Sequence, residues 1–209
     1  DIAFLAAGSD HAVAIDTEDN FYFWGNTRLR QDQYESNSEL NMALRRGDLE
    51  IKQLEAGNQF SIILDTAGNV YLWGNPSGNE LDCRDKERIE EGEDKEPRQY
   101  QGNIEKVAVT DHSYIALLKD GTVAYTGYEK DNALNTNLPV ELTDGSVRVV
   151  DIASTSQNVA AIDENGKIWV WGVSTRNEKN VPEMESKPVK VYGGRFHYTA
   201  LLENGDVVS

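Results

Sequence analysis

Ile51-Lys-Gln-Leu-Glu-Ala-Gly57-Asn-Gln-Phe60-Ser-Ile62-Ile63-Leu64-Asp65-Thr-Ala67-Gly68-Asn69-Val70-Tyr-Leu-Trp73-Gly74-Asn75 is the stretch whose reading decides the fold. Two runs rich in β-branched and aromatic residues flank a Gly-Asn break, which is the pattern of a β-hairpin. The same succession returns along the chain. The copy from Ile2 holds Gly8, His11, a run to Ile15, Asp16 and Trp24-Gly25-Asn26. The copy from Ile104 holds Ala116-Leu117-Leu118, Asp120-Gly121 and Thr126-Gly127; the copy from Val149 holds Ala160-Ala161-Ile162, Asn165-Gly166 and Trp171-Gly172. A last copy near Val189 holds Gly194, His197, Ala200-Leu201-Leu202 and Asn204-Gly205, with Ser209 one residue short of the next Trp.

Self-similarity at a period of roughly 40–50 residues means a propeller or a solenoid. A lone hairpin cannot bury both faces, so such units pack side by side, and radial packing makes a propeller. Small residues recur at one position (Ala14, Ala116, Ala161, Ala200, with Ile63 in the second copy), as crowding toward an axis favours. The expected fold class is therefore all-β: one β-propeller domain over residues 1–209. Its repeats run approximately 1–50, 51–103, 104–148, 149–188 and a partial 189–209.

These repeats resemble the regulator of chromosome condensation (RCC1-type) repeat: a Gly, two variable residues, a His, an apolar strand, an Asp-Gly turn, an aromatic strand and Trp-Gly. Gly8 with His11, Gly194 with His197, and Trp-Gly at Trp24, Trp73 and Trp171 carry the resemblance. The middle copies depart from it, with Phe60, Ser113 and Asn158 at the His position and Thr110 and Thr155 at the Gly position. The resemblance implies that Gly8, His11, Trp24, Gly25, Gly57, Trp73, Gly74, Gly121, Gly166, Trp171, Gly172, Gly194 and His197 are structural repeat positions. It also implies a seven-bladed ring, which needs more chain than this. The expectation is an arc of about four blades plus a partial fifth, belonging to a larger propeller or completed by another chain.

An apolar share of 39% with 9% aromatic residues suffices for a buried core. The formal net charge of −16 and a pI near 4.5 repel phosphate backbones and anionic membrane surfaces, so no nucleic-acid or membrane partner is expected. No run approaches the roughly 18 apolar residues of a membrane helix, and no basic-then-apolar leader is visible. Asp1 in place of Met leads us to expect a processed chain or a fragment. A lone Cys83 can form no internal disulfide, and either a cytoplasmic or a bacterial secreted or surface location suits the composition.

The connectors after each Trp-Gly are long and polar, and variable loops on a rigid β scaffold are where recognition concentrates. Ser38 to Leu44 reads as a short helix ending at Gly47, with Arg45 and Arg46 in its last turn, as the helix dipole favours. A loop cover for the blade edge is preferred there over a partner-binding helix. Arg28, Arg30, Tyr34, Arg45, Arg46 and Trp169 are the interaction candidates. Glu80 to Arg98 reads as a solvated excursion rather than a calcium site, since EF-hand spacing is absent. Asp16 to Asn20 occupies the hairpin-turn register, which argues for a turn and against a cation loop. His11 and His197 are expected to satisfy buried backbone polar groups; together with His112 they make no zinc spacing with Cys83.

No catalytic residue, metal site or cofactor site is expected. The first functional reading is a non-enzymatic protein-binding scaffold using loops and faces of the propeller. The resemblance implies a range of such roles, from an exchange factor for a small GTPase to a secreted inhibitor of β-lactamases. Partners would be another protein or a second copy completing the ring. The alternatives are a glycan-binding or sialidase-like propeller, to which Asp163-Glu-Asn-Gly166-Lys-Ile-Trp169 comes nearest, and a purely structural module of a surface or assembly protein.

Overall fold

The computed structural model describes residues 1–25, 40, 43, 46–58, 60–74, 100–126, 133–173 and 180–209. They form five three-stranded sheets, each with its strands in chain order. The sheets are β1 (Ile2–Ala7), β2 (His11–Asp16) and β3 (Phe21–Gly25); β4 (Ile51–Ala56), β5 (Phe60–Asp65) and β6 (Val70–Gly74); β7 (Ile104–Val109), β8 (Tyr114–Leu118) and β9 (Val123–Thr126); β10 (Val149–Ser154), β11 (Asn158–Asp163) and β12 (Ile168–Gly172); and β13 (Pro188–Gly193), β14 (Tyr198–Leu202) and β15 (Val207–Val208). The chain divides into two compact units, Asp1–Ile104 with Asp111–Ser113, and Glu105–Thr110 with Tyr114–Ser209. Among the described residues no helix is long and apolar enough to cross a membrane.

Each repeat is thus a three-stranded meander rather than a bare hairpin. The added strand is the run before the Gly-x-x-His position. Its alternation is broken by a register shift after the first residue, at Ile2/Phe4, Ile51/Gln53, Val149/Asp151 and Pro188/Lys190. A bulge of this kind puts one extra residue into a strand and interrupts the period of two by which strands are recognised.

The second and third strands of each sheet are joined by the same four-residue turn. Its left-handed position holds Gly68, Gly121, Gly166 and Gly205, with φ between 85° and 96°, whereas the first sheet places Asp19 there at φ 62°. The residue beginning the turn ties it to the start of the sheet: Thr17, Thr66, Glu164 and Glu203 donate their N–H to the carbonyls of Asp1, Glu50, Arg148 and Lys187.

In the first unit, Leu54, Ile63 and Trp73 of the second sheet pack on Ala6, Val13 and Ile15 of the first. Trp73 meets Phe21 and Phe23 edge-on, with ring centroids 6.2 Å apart in each pair. In the second unit the fourth sheet repeats this arrangement: Ile152, Ala161 and Trp171 pack on Ile115, Leu117, Val123 and Tyr125 of the third. The fifth sheet then sets Val191 against Ala153, Ala160 and Ile162 of the fourth. Ala14, Ile63, Ala116, Ala161 and Ala200 occupy one register and are all buried.

The connector after the first sheet contributes to this packing. Leu40, Ala43 and Arg46 are helical, and Gly47 follows at φ 67°, where a helix C-terminus favours glycine. Leu40 is fully buried beside Trp73, so this residue covers the core. In the second unit the short helix Ala133–Thr136 does the same: the Trp171 indole donates to the Leu134 carbonyl at 3.1 Å.

Candidate functional site

Three turn carboxylates come first, because clustered acids could hold a cation. Asp16 accepts the N–H groups of Glu18 and Asn20 at 2.9 Å each and the Tyr22 hydroxyl at 2.8 Å. Asp65 accepts the Asn69 N–H at 2.7 Å and the Tyr71 hydroxyl at 3.2 Å. Asp163 accepts the Asn165 and Lys167 N–H groups and, at 3.0 Å, the Trp169 indole N–H. Bonds from the Asn20 side chain and backbone hold the Asp16 carboxyl well below the usual carboxylate range, and the hydrogen bond to that carboxylate, with its charge, raises the Tyr22 hydroxyl. Carboxylates used in this way fasten turns.

The stretch nearest to a sialidase Asp box is therefore one instance of a device found in three sheets. Trp169 is part of it: Lys167 Nζ lies 3.3 Å from its ring centroid, and the ring packs against the core of the second unit. Sequence reading passed over this pairing, although an aromatic donor six residues after the turn Asp is visible at Tyr22, Tyr71 and Trp169.

The Gly-x-x-His position also resolves into a steric pair. A methyl group on Gly8 would run into the Gly57 carbonyl and the His11 ring, one on Gly57 into the Phe60 ring, and one on Gly194 into the His197 ring. Where the ring is absent the glycine is absent too, and Thr155 accepts the Asn158 N–H through its hydroxyl at 3.1 Å. His11 is buried, with Nε2 2.9 Å from Ser61 Oγ, and burial pushes its imidazole below the ordinary value. His197 is exposed, which corrects the expectation that both histidines satisfy buried backbone groups: the fifth sheet leaves that ring on the surface.

One buried carboxylate lies outside the turns. Asp151, at the bulge of β10, takes Lys106 Nζ of β7 at 2.6 Å and the Val191 N–H of β13 at 2.8 Å. It ties the three sheets of the second unit through one side chain.

The surface that sets the first sheet apart is apolar. Leu5, Ala14 and Tyr22 lie in one cross-strand row, and Trp24 shares their face two residues on. Leu5 is 65% exposed and Trp24 50%, whereas their counterparts Leu54 and Trp73 are 7% and 3% exposed beneath the first sheet's other face. Of the three Trp-Gly tryptophans, Trp73 and Trp171 are buried in the cores of their units, whereas Trp24 is half exposed. Of the interaction candidates, Arg46 is exposed, Trp169 lies in β12 with its indole bonded to the turn carboxylate Asp163, and Arg28, Arg30, Tyr34 and Arg45 lie outside the described residues, as does Glu80 to Arg98. Among the described residues no three His, Cys, Asp or Glu side chains are placed to share a metal ion.

No protein-family model matches the chain, and no curated protein matches it either. Solved structures do. Yeast RCC1 (Prp20), in its structure bound to Kap60, is similar over 99% of this chain and 55% of its own at 20% identity, with a TM-score of 0.69. Human WBSCR16 is similar over 97% of this chain and 58% of its own at 16% identity and a TM-score of 0.65. The ectodomain of the Physcomitrella patens receptor kinase CR4 follows at 13% identity and a TM-score of 0.63, over 98% of this chain and 48% of its own. The chain thus has an RCC1-like β-propeller fold and spans about half the length of these structures.

Proposed function

We propose that this RCC1-like chain is a non-enzymatic protein-binding scaffold, and that the Leu5–Tyr22–Trp24 face of its first sheet is where another polypeptide docks. The observation that carries the reading is the exposure of an aromatic row whose counterpart one sheet later is buried. Tryptophan and tyrosine are the residues that most often anchor protein interfaces. In the first unit such a row is covered by the phenylalanines of a neighbouring sheet, so a partner offering an apolar β surface, from another protein or a second copy, suits it. The formal charge of −16 favours a protein over nucleic acid. Two similar structures are of proteins with protein partners: yeast RCC1 bound to Kap60, and Prp20p, which binds Gsp1p and histones.

A photo-crosslinking residue placed at Tyr22 tests the reading. It is expected to trap one defined polypeptide, identified by mass spectrometry, and Leu5→Asp with Trp24→Ala is expected to abolish the product. A protein that stays monomeric by light scattering at every concentration and traps nothing from its native extract would end the proposal.

A further inference from the structure

At the Gly-x-x-His position the first sheet buries a titratable ring where the others do not. Phe60, Ser113 and Asn158 hold the matching places and His197 is exposed, whereas His11 is 6% exposed. The residue it meets is also particular to this junction. Ser61 stands opposite Trp73 in the β5–β6 ladder, where the other ladders set Ala12, Tyr114 and Val159 opposite Trp24, Thr126 and Trp171.

The His11 ring bridges the first two sheets. Its Nε2 lies 2.9 Å from Ser61 Oγ, the Ser9 N–H donates to the Gly57 carbonyl at 3.3 Å, and Gly8 lies against the ring with no room for a methyl group. All of these residues belong to the first unit. A serine this near an imidazole has the spacing of a nucleophile and its base, but the Ser61 side chain is fully buried and reaches no substrate. Nδ1 of His11 is buried too, and among the described residues nothing hydrogen-bonds to it.

A neutral imidazole fits such a place, with one nitrogen bonded to Ser61 and the other bare. Protonation makes both nitrogens donors. It sets a second N–H and a full charge in a buried site that offers Nδ1 no bonded acceptor, which disfavours the charged form. Each packed element contributes little to oppose this: Asp10 on the ring's own loop and the Asn58 backbone from the β4–β5 loop favour the proton, β3 presents only the Gly25 backbone, and Ser61 of β5 is uncharged. Burial outweighs the pull of Asn58 and Asp10 and holds the imidazole below its ordinary value.

We propose that His11 is an acid-sensitive latch between the first and second sheets, closed while the neutral ring is held between Gly8 and Ser61 and opened when a proton drives the ring out of that site. The sign follows from linkage. The unfolded chain takes the proton more readily than the folded one, so the latch contributes fully above the ordinary histidine value near 6.5 and is lost as pH falls below it. Opening releases the Ser61 contact and loosens the Ser9–Gly57 bond beside it. The latch needs no partner and stands apart from the scaffold reading.

The test uses the 209-residue chain and its three histidines. With His112→Gln and His197→Gln assigning the other two, the His11 ring proton resonance is expected to titrate below about pH 6.5, and the Ser9 and Ser61 amides to shift with it. Hydrogen exchange at those amides, corrected for its intrinsic pH dependence, should quicken with acid relative to Ile162 of the fourth sheet. Urea titrations supply the energetic measure. Between about pH 7.5 and about pH 5 the folded-to-unfolded ratio of the first unit should fall by at most roughly thirtyfold more than in His11→Phe, the ratio of charged to neutral histidine in the unfolded chain at the lower pH. Phe60 beside Gly57 is the precedent for a phenyl ring at this position. A His11 midpoint at or above 6.5, exchange at Ser9 and Ser61 that keeps step with Ile162, or the same pH dependence in both proteins would each overturn the latch. If His11→Phe does not fold, the titration and exchange of the unaltered protein decide the matter.

Discussion

Replacing Trp171 by alanine should unfold the second unit far more readily than replacing Trp24 unfolds the first, although the two residues occupy one place in the repeat. Trp171 is 2% exposed within an apolar cluster of its unit. Truncating such a ring costs about 3–5 kcal/mol, which includes the cavity left behind. The Leu134 carbonyl also loses its donor, an effect of about 1 kcal/mol that holds the total near the upper end. For a chain of this size each kcal/mol lowers Tm by about 2–4 °C, so a fall of roughly 10–20 °C is expected. Trp24 is half exposed, and removing the contacts of its inner half costs about 1 kcal/mol. Urea titrations followed by far-ultraviolet circular dichroism separate the two variants, with midpoints compared at a common slope. Equal losses for Trp24→Ala and Trp171→Ala would refute the assignment of one ring to an interface and the other to the core.

Asp19→Gly should raise stability by about 0.5–1 kcal/mol in thermal melts, since the other sheets place glycine at this left-handed position. Gly57→Thr should destabilise strongly through its clash with the Phe60 ring, whereas Gly57→Thr with Phe60→Ser should cost less than the sum of its parts by about 1 kcal/mol or more in a double-mutant cycle. Asp151→Ala leaves Lys106 and the Val191 N–H without their acceptor and should cost about 2–3 kcal/mol; Asp151→Asn, which keeps an acceptor oxygen, should cost less in the same denaturant assay. Because the Asp16 carboxyl is held below its unfolded value, its help to the first hairpin is complete above roughly pH 4 and fades as pH falls toward the folded value. The Glu18 and Asn20 amide resonances should report a midpoint below that of an ordinary aspartate, and a midpoint near pH 4 would contradict the turn geometry.

The hairpins and their order along the chain could be read from letters because each repeat carries its own turn and its own Trp-Gly. The first strand of each sheet was harder to see, since the register shift at Phe4, Gln53, Asp151 and Lys190 breaks the alternation. The glycine and ring pairs were visible as paired departures, Thr110 with Ser113 and Thr155 with Asn158, but their steric meaning needs the distance between side chain and backbone. The difference between Trp24 and Trp73 has no local signature at all: identical dipeptides are buried or exposed according to the neighbouring sheet.

The pairing of glycine with a ring sets a direction on how these repeats can diverge. A repeat that begins as Gly57 with Phe60 can lose its ring first and pass through a tolerated glycine-and-serine state before gaining threonine. The reverse order leads through a threonine crowded against an aromatic ring, a state that folds poorly and is removed by selection. Divergence among copies is then gated by the order of two substitutions, and ancestors of the third and fourth repeats are expected to have discarded the ring before they abandoned glycine.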